Sequence, residues 1–240
     1  TTLEMLRLLL TFAIGLTLAL IAAATVVVSG LLRMYREDAV MAAMACPSEH
    51  NAEQCANSAT SRMVRGFGIY IGIGLGLVLT AAALTAWAPN AAGSGLPELK
   101  AFLNGCHTPK ILQPSTLLAK AIGTTLVVTS SLPIGREGPM VHIGAALAIC
   151  LSRLISSLRC GRLLFEMRSP AAQRNWVGVG AAAGVAAAFN SPLGGILYSF
   201  EEVCSHWSSR MTWLSFLCSV TIVAAVDLLN DVSGGFIAAE

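Results

Sequence analysis

The sequence predicts an all-α protein that lies in a membrane, and three features of its composition support this fold class. Of the 240 residues, 55% are hydrophobic and 12% are charged, whereas soluble domains carry about 25% charged residues. Residues 8–32, 66–97 and 175–200 contain no Asp, Glu, Lys or Arg, and each run exceeds the about 20 apolar residues of a spanning helix. Three shorter uncharged runs favour helices that enter the bilayer without crossing it simply. They cover residues 121–135, 138–152 and 211–226.

The N-terminal part is expected to contain two long helices joined by a polar loop. The first helix is predicted over 3–32 and ends at a cluster of charged residues. A polar loop over 39–61 follows. A second helix over 64–88 then returns through the membrane, and its closely spaced glycines permit close contact with other helices. The charged cluster after the first helix consists of Arg33, Arg36, Glu37 and Asp38.

The remaining elements are predicted from their apolar runs and their glycine or proline boundaries. After a glycine-rich turn, a short helix ends at Gly105, and a membrane helix is predicted over 111–132. A further helix begins at Pro139 and ends near residue 158. Two more helices are predicted over 176–200 and 211–229. A loop with five arginines against one glutamate precedes them, and the positive-inside rule places it in the cytoplasm.

Several classes of function have little support in the sequence. The net charge of +2 gives no reason to expect a nucleic-acid partner. The chain lacks the G-x-S-x-G and H-E-x-x-H motifs of hydrolases, and no His or Cys lies at metal-ligand spacing to His142. We therefore expect neither an enzyme nor a cofactor. Of seven cysteines, only Cys46 and Cys55 are placed like a disulfide across a loop, and such a bond requires an oxidising compartment.

A first motif that could bind a ligand is "GSGLPE" at 93–98. Pro97 suits the start of a helix, because the N–H group that proline lacks would be unpaired there. The preceding glycines let the backbone approach a ligand closely, and Ser94 adds a hydroxyl donor. A helix N-terminus within a bilayer can bind an anion, because its unpaired N–H groups and the positive end of the helix dipole point at the ligand. The alternative is an ordinary glycine turn with a serine cap.

A second motif, "GREGP" at 135–139, repeats this order of glycine, polar residue, glycine and proline. Two interrupted helices of this kind in one membrane protein indicate a substrate site between half-helix N-termini. Glu137 would then occupy a position that favours an anion. The alternative is that Arg136 and Glu137 are charges at the membrane surface.

A third motif, "NSPLGGILYSFEEVCSHW" at 190–207, contains a Gly-Gly pair and then two carboxylates. Glu201 and Glu202 could form an entry point for protons, because ionisable groups at membrane edges often serve as relays. The alternative is that both carboxylates only solvate the end of the helix.

Three other features admit less specific interpretations. The run "GVGAAAGVAAAF" at 178–189 has the spacing G-x-G-x-x-x-G, which favours helix packing through small residues over nucleotide binding. His142 is more typical of a packed polar residue than of a ligand. Lys120 could draw anions towards the protein interior or could extend its ammonium group to the interface.

With these three motifs in this order, the chain resembles the CLC family of chloride channels and chloride/proton exchangers. The resemblance covers nearly all 240 residues. It implies two inverted repeats of tilted, partly re-entrant helices and a homodimer with one anion pathway per subunit in the lipid bilayer. Residues 1–240 resemble the first repeat of that transmembrane domain, so we expect a second repeat to be needed for transport.

The resemblance also assigns roles around the anion. Ser94 is similar to the central anion ligand, with Gly95 and Leu96 in the helix N-terminus behind it and Gly138 on the other side. A serine at this position favours chloride over nitrate within the family. Glu137 resembles the gating glutamate, which alternates between the anion site and a protonated state.

Further residues match positions that support proton transfer or the anion site. Glu202 matches the inner proton-transfer glutamate of the exchangers, where family channels usually carry an apolar residue. Lys120 falls where the family often keeps a buried basic residue, and Arg136, Pro139 and Glu201 are expected to support the motifs that contain them. The resemblance therefore implies a secondary active chloride/proton antiporter, with a voltage-gated chloride channel of the same family as the alternative.

Location and rival functions are less closely determined. The continuation "EEVCSHW" resembles the vacuolar and lysosomal branches of the CLC family more than its plasma-membrane channels. This favours an integral, multi-pass protein of an endomembrane. One rival is a membrane-embedded enzyme that uses Glu201, Glu202 and His206, although no motif supports it. Another is a fragment for regulation or assembly that has no transport of its own.

Overall fold

The computed structural model describes residues 2–45, 59–106, 108, 110–158 and 169–232. All regular structure within these ranges is helical, which agrees with the predicted all-α class. The proposed Cys46–Cys55 disulfide and residues 159–168 of the basic loop lie outside the described residues. The helices are α1 (Thr2–Met44), α2 (Ala59–Trp87), α3 (Leu96–Leu103), α4 (Pro114–Thr129), α5 (Glu137–Leu158), α6 (Pro170–Phe189), α7 (Pro192–Tyr198) and α8 (Ser209–Val232), with a 3₁₀ turn at Pro89–Ala91 and a π-helical segment at Ser199–Val203.

Four of these helices, α1, α2, α5 and α8, are long and apolar enough to cross a membrane. For α5 and α8 this differs from the sequence prediction, which treated the runs 138–152 and 211–226 as too short. Charged residues near both ends of these runs, among them Glu137, Arg153 and Asp227, lie within the helices. The length of an uncharged run therefore underestimates the length of the helix that contains it.

Helix α1 continues well beyond its predicted end at residue 32, and one member of the charged cluster is buried inside the protein. Arg36 is 4% exposed. Its Nη1 donates a hydrogen bond to the Thr129 carbonyl oxygen at 2.7 Å, and its guanidinium carbon lies 4.6 Å from the centre of the Tyr70 ring. This cation–π contact and the hydrogen bond join α1 to α2 and to the C-terminal end of α4.

The predicted helix over 176–200 is two helices in the structure. Asn190 adopts the left-handed conformation with φ 49° and ends α6. Ser191 then caps α7 by accepting a hydrogen bond from the Gly194 N–H at 3.2 Å, and Pro192 occupies the first turn. The change of direction follows from local residue types, because asparagine tolerates positive φ and serine is a good N-cap.

Helix α6 lies at the centre of the fold and packs against α1, α5, α7 and α8. Every residue from Trp176 to Ala186 is buried. This position agrees with the prediction that the glycine- and alanine-rich run serves helix packing. Two apolar clusters surround α6, one shared with α1, α5 and α8 and the other shared with α3 and α5.

The contact between α5 and α6 is made by main-chain atoms. A Cβ atom on Gly144 would overlap the Gly180 carbonyl oxygen, and one on Gly180 would overlap the Gly144 carbonyl oxygen. A Cβ atom on Gly184 would likewise overlap the Met140 carbonyl oxygen. Small residues at such positions allow two helix backbones to touch.

Replacing Gly180 tests this contact. In Gly180→Ala, the added methyl group would lie 2.7 Å from the Ala148 Cβ and would overlap the main chain of α5. Because both neighbours are backbone or a short side chain, we expect a loss of about 1–3 kcal/mol in the free energy of unfolding. Thermal unfolding of the purified protein in detergent measures the loss. Gly72→Ala is the matched control, since nothing lies within 4 Å of a Cβ at that glycine, and an unchanged Tm in Gly180→Ala would contradict the close packing.

Candidate functional site

The first motif forms the turn that starts α3. Gly93 and Gly95 have φ values of 65° and 80°, which place both in the left-handed region that glycine adopts without strain. Gly95 is the N-cap of α3, and Pro97 lies in the first helical turn. The Ser94 hydroxyl oxygen is 3.4 Å from the Leu96 nitrogen, a long contact. The motif thus ends in a helix N-terminus, as the sequence predicts.

The second motif starts α5 directly beside the first. Helix α5 begins at Glu137, with Gly138 and Pro139 in its first turn. A Cβ atom on Gly138 would lie 2.9 Å from the Ser94 Cβ and 4.0 Å from the Ser94 hydroxyl oxygen. The N-terminal ends of α3 and α5 therefore meet at Ser94 and Gly138, and their partial positive charges point to one region.

Glu137 lies at this meeting point with its side chain exposed. Its carboxylate folds back over Gly135, where it fills the space that a side chain on Gly135 would need. Arg136 faces away from this region and lines a separate cavity of about 250 Å³ together with Asn190 and Asp227. The two charges of the motif therefore have different surroundings.

Lys120 lies behind the first motif and inside the protein. It is 3% exposed, and its Nζ donates a hydrogen bond to the Gly93 carbonyl oxygen at 3.1 Å. The ammonium group therefore does not extend to the interface, and its attraction of anions stays a prediction. The ammonium group thus adds a full positive charge next to the two helix N-termini.

An open cavity of about 560 Å³ joins these groups. Most of its lining is apolar and comes from α2 and α4. The polar side chains that line it are those of Thr85, Ser94, Lys120 and Thr124, and Gly93, Gly135 and Gly138 also line it. A hydroxyl group, helix N-termini and one ammonium group in an apolar cavity have the chemistry that a small anion requires. Within the described ranges, no group of three His, Cys, Asp or Glu side chains could hold a metal ion.

The third motif places its carboxylates in the π-helical segment after α7. Glu202 Oε2 lies 3.1 Å from the Lys100 Nζ, and both side chains are largely exposed. Ser205 also donates a hydrogen bond to the Asn104 side chain. Glu201 and His206 are exposed and do not join Glu202 in a cluster.

Lys100 is a candidate residue that the sequence analysis did not identify. It lies on α3, four residues after Leu96 and therefore about 6 Å along the helix from the start of the anion site. Nothing in its local sequence indicates a partner 102 residues away. Helix α3 thus contacts the region of Ser94 at one end and Glu202 further along.

Comparisons with known proteins identify similar sequences and folds. The family model described as voltage gated chloride channel matches residues 75–236. The chain is 38% identical over 168 residues to chloride channel protein CLC-b of Arabidopsis thaliana, covering 69% of this chain and 22% of that protein. It is 40% identical over 149 residues to H(+)/Cl(−) exchange transporter 7 of Homo sapiens, covering 61% and 18%.

Two solved structures share the fold. A eukaryotic CLC transporter superimposes with a TM-score of 0.77 at 26% identity, covering 95% of this chain and 39% of the other. A slow cyanobacterial Cl⁻/H⁺ antiporter gives a TM-score of 0.68 at 22% identity, covering 92% and 46%. The chain therefore spans less than half the length of these structures, and an even smaller share of the curated relatives.

Adding one methyl group at the meeting point of the two helices tests the anion site. In Gly138→Ala, the new Cβ would be 2.9 Å from the Ser94 Cβ, so the two N-termini must separate. We expect the affinity for chloride to fall by about tenfold, which corresponds to about 1.4 kcal/mol. Isothermal titration of chloride into the purified full-length protein measures the change. Gly123→Ala is the control, because Gly123 lines the same cavity and nothing lies within 4 Å of the added methyl group. Equal losses of chloride affinity in both variants would contradict the assignment.

Proposed function

Because the chain belongs to the voltage-gated chloride channel (CLC) family, we propose that it forms part of a chloride/proton antiporter and holds the anion between α3 and α5. The observation that carries this proposal is the contact of Ser94 with Gly138, with the Lys120 ammonium group behind it. The membrane-spanning helices provide the apolar surroundings in which such charges act strongly. Relatives that are named H⁺/Cl⁻ exchange transporters support chloride and protons as the transported ions.

In the proposed mechanism, Ser94 and the N–H groups at the starts of α3 and α5 bind chloride. Glu137 lies at the same helix N-terminus, so its carboxylate competes with chloride for the same positive potential. When the carboxylate takes up a proton, it becomes neutral and is no longer attracted to that positive potential. The anion then enters as the side chain leaves, and release of the proton reverses the exchange.

Glu202 is proposed to deliver protons from the other side of the membrane. Its carboxylate is exposed to solvent, and the ion pair with Lys100 holds it next to α3. A solvated carboxylate can collect a proton from water, and transient water must carry it to Glu137 through apolar surroundings. Chloride and protons are thus the proposed partners, and we also propose a homodimer in the lipid bilayer of an endomembrane.

A chloride channel is the second candidate, because several curated relatives are named chloride channel proteins. In that case Glu137 would act as a gate only, and Glu202 would not transfer protons. The two functions differ in the reversal potential across a pH gradient. The current through a chloride channel reverses at the chloride equilibrium potential. The reversal potential of an antiporter also shifts with the proton gradient.

Glu202→Val should separate proton transport from chloride transport. The change removes the proposed proton donor, so we expect proton flux to fall to background while chloride flux continues. Chloride and pH electrodes on proteoliposomes that contain the full-length protein measure both fluxes. Glu37→Val is the control, because it removes an exposed carboxylate on α1. Unchanged proton flux in Glu202→Val would refute the antiporter proposal.

Glu137→Gln should mimic a permanently protonated gate. The neutral amide cannot compete for the anion site as a carboxylate does, so we expect proton transport to stop and chloride flux to become independent of pH. Radioactive chloride uptake between pH 4.5 and 7.5 measures this, with the wild type as the pH-dependent reference. Persistent proton transport in this variant would exclude Glu137 as the exchanging group.

A further inference from the structure

Two side chains from different helices converge on Gly95 behind the anion site. His142 lies on α5, one turn after Glu137 and Gly138, and Lys120 lies on α4. A Cβ atom on Gly95 would overlap the His142 Nδ1 and would lie 2.9 Å from the Lys120 Nζ. A side chain at position 95 is therefore excluded both by the positive φ and by lack of space. The two nitrogen atoms are neighbours.

The hydrogen bond of His142 determines which ring nitrogen carries the proton. His142 is 1% exposed, and its Nε2 lies 3.0 Å from the Ile111 carbonyl oxygen. A carbonyl oxygen only accepts hydrogen bonds, so Nε2 must carry a proton. Nδ1 is buried and has no hydrogen-bond partner among the described residues.

Burial, and after it the nearby ammonium group, make a neutral imidazole the favourable state. A second proton on the ring would place two positive charges side by side in a buried site, which is costly. Nδ1 therefore offers a lone pair next to Gly95. The Lys120 ammonium group has three N–H bonds, of which one goes to the Gly93 carbonyl oxygen. The other two can donate to a neighbouring acceptor, and the lone pair of Nδ1 is an acceptor of that kind.

We propose that His142 is a positioning residue for the anion site. It holds the Lys120 ammonium group against the Gly93–Gly95 turn and thereby orients Ser94 towards the cavity. A neutral acceptor suits this task, because it directs the ammonium group without cancelling its charge. A carboxylate in the same place would neutralise the charge that attracts the anion. This inference rests on the proposed anion site but not on proton coupling.

Removing the ring nitrogens should weaken chloride binding. We expect His142→Leu to raise the chloride dissociation constant by about fivefold or more. His142→Gln should remain within about twofold of the wild type, because its amide supplies both a donor and an acceptor. Isothermal titration of chloride into the purified full-length protein measures the constants. The increase of Tm with added chloride provides an independent readout, since a ligand that binds only the folded state raises Tm.

A double-mutant cycle tests whether His142 acts through Lys120. If it does, the double variant Lys120→Met, His142→Leu should bind chloride about as weakly as Lys120→Met alone. Additive losses would overturn the proposal, and so would a lower Tm without chloride combined with an unchanged dissociation constant. If His142→Leu does not accumulate, His142→Met fills the same space with a flexible apolar side chain and takes its place.

The outcome can be separated from that of the proposed function. Equilibrium binding of chloride does not require proton transport. A wild-type protein that binds chloride but moves no protons would refute the antiporter and leave the role of His142 intact. A normal proton-coupled wild type with unchanged chloride affinity in His142→Leu would refute the role of His142 alone.

Discussion

Helices α5 and α6 touch through their main chains, and this contact determines where α5 lies. Gly144, Gly180 and Gly184 have no side chains to keep the helices apart, so carbonyl oxygens of one helix meet the backbone of the other. Because α6 is buried along its central part, this contact sets the position of α5. The N-terminus of α5 carries Glu137 and Gly138, and its placement beside Ser94 follows from the packing of the whole helix.

The candidate anion site combines weak and strong sources of positive potential. Helix N-termini contribute partial charges, and Lys120 contributes a full charge beside the Gly93–Gly95 turn, where it also lines the cavity. A transported ion must bind and also leave, so a site of several moderate contributions suits transport better than a tight cage. Glu137 fits this balance, because its charge can be removed by one proton.

Helix α3 is a short connection between the two functional regions. Its N-terminal turn contains Ser94, and Lys100 further along pairs with Glu202. The proposed anion site and the proposed proton entry are therefore linked by one rigid element.

The membrane class, the three motifs and the starts of α3 and α5 can be predicted from the amino-acid sequence, because glycine conformations, proline at the first turn and apolar runs are local properties. The break between α6 and α7 was not predicted. The predicted end of α1 is wrong, and so is the expectation that the short uncharged runs in α5 and α8 do not cross the membrane simply, since both treat charges as boundaries. Arg36 shows why this fails: a helix continues through a charge that is satisfied by another segment. The proximity of Ser94 to Gly138, the hydrogen bond from Lys120 to Gly93 and the Lys100–Glu202 pair are properties of the folded chain alone. These contacts join residues 27 to 102 positions apart, and they arise from helix packing, which no local pattern encodes.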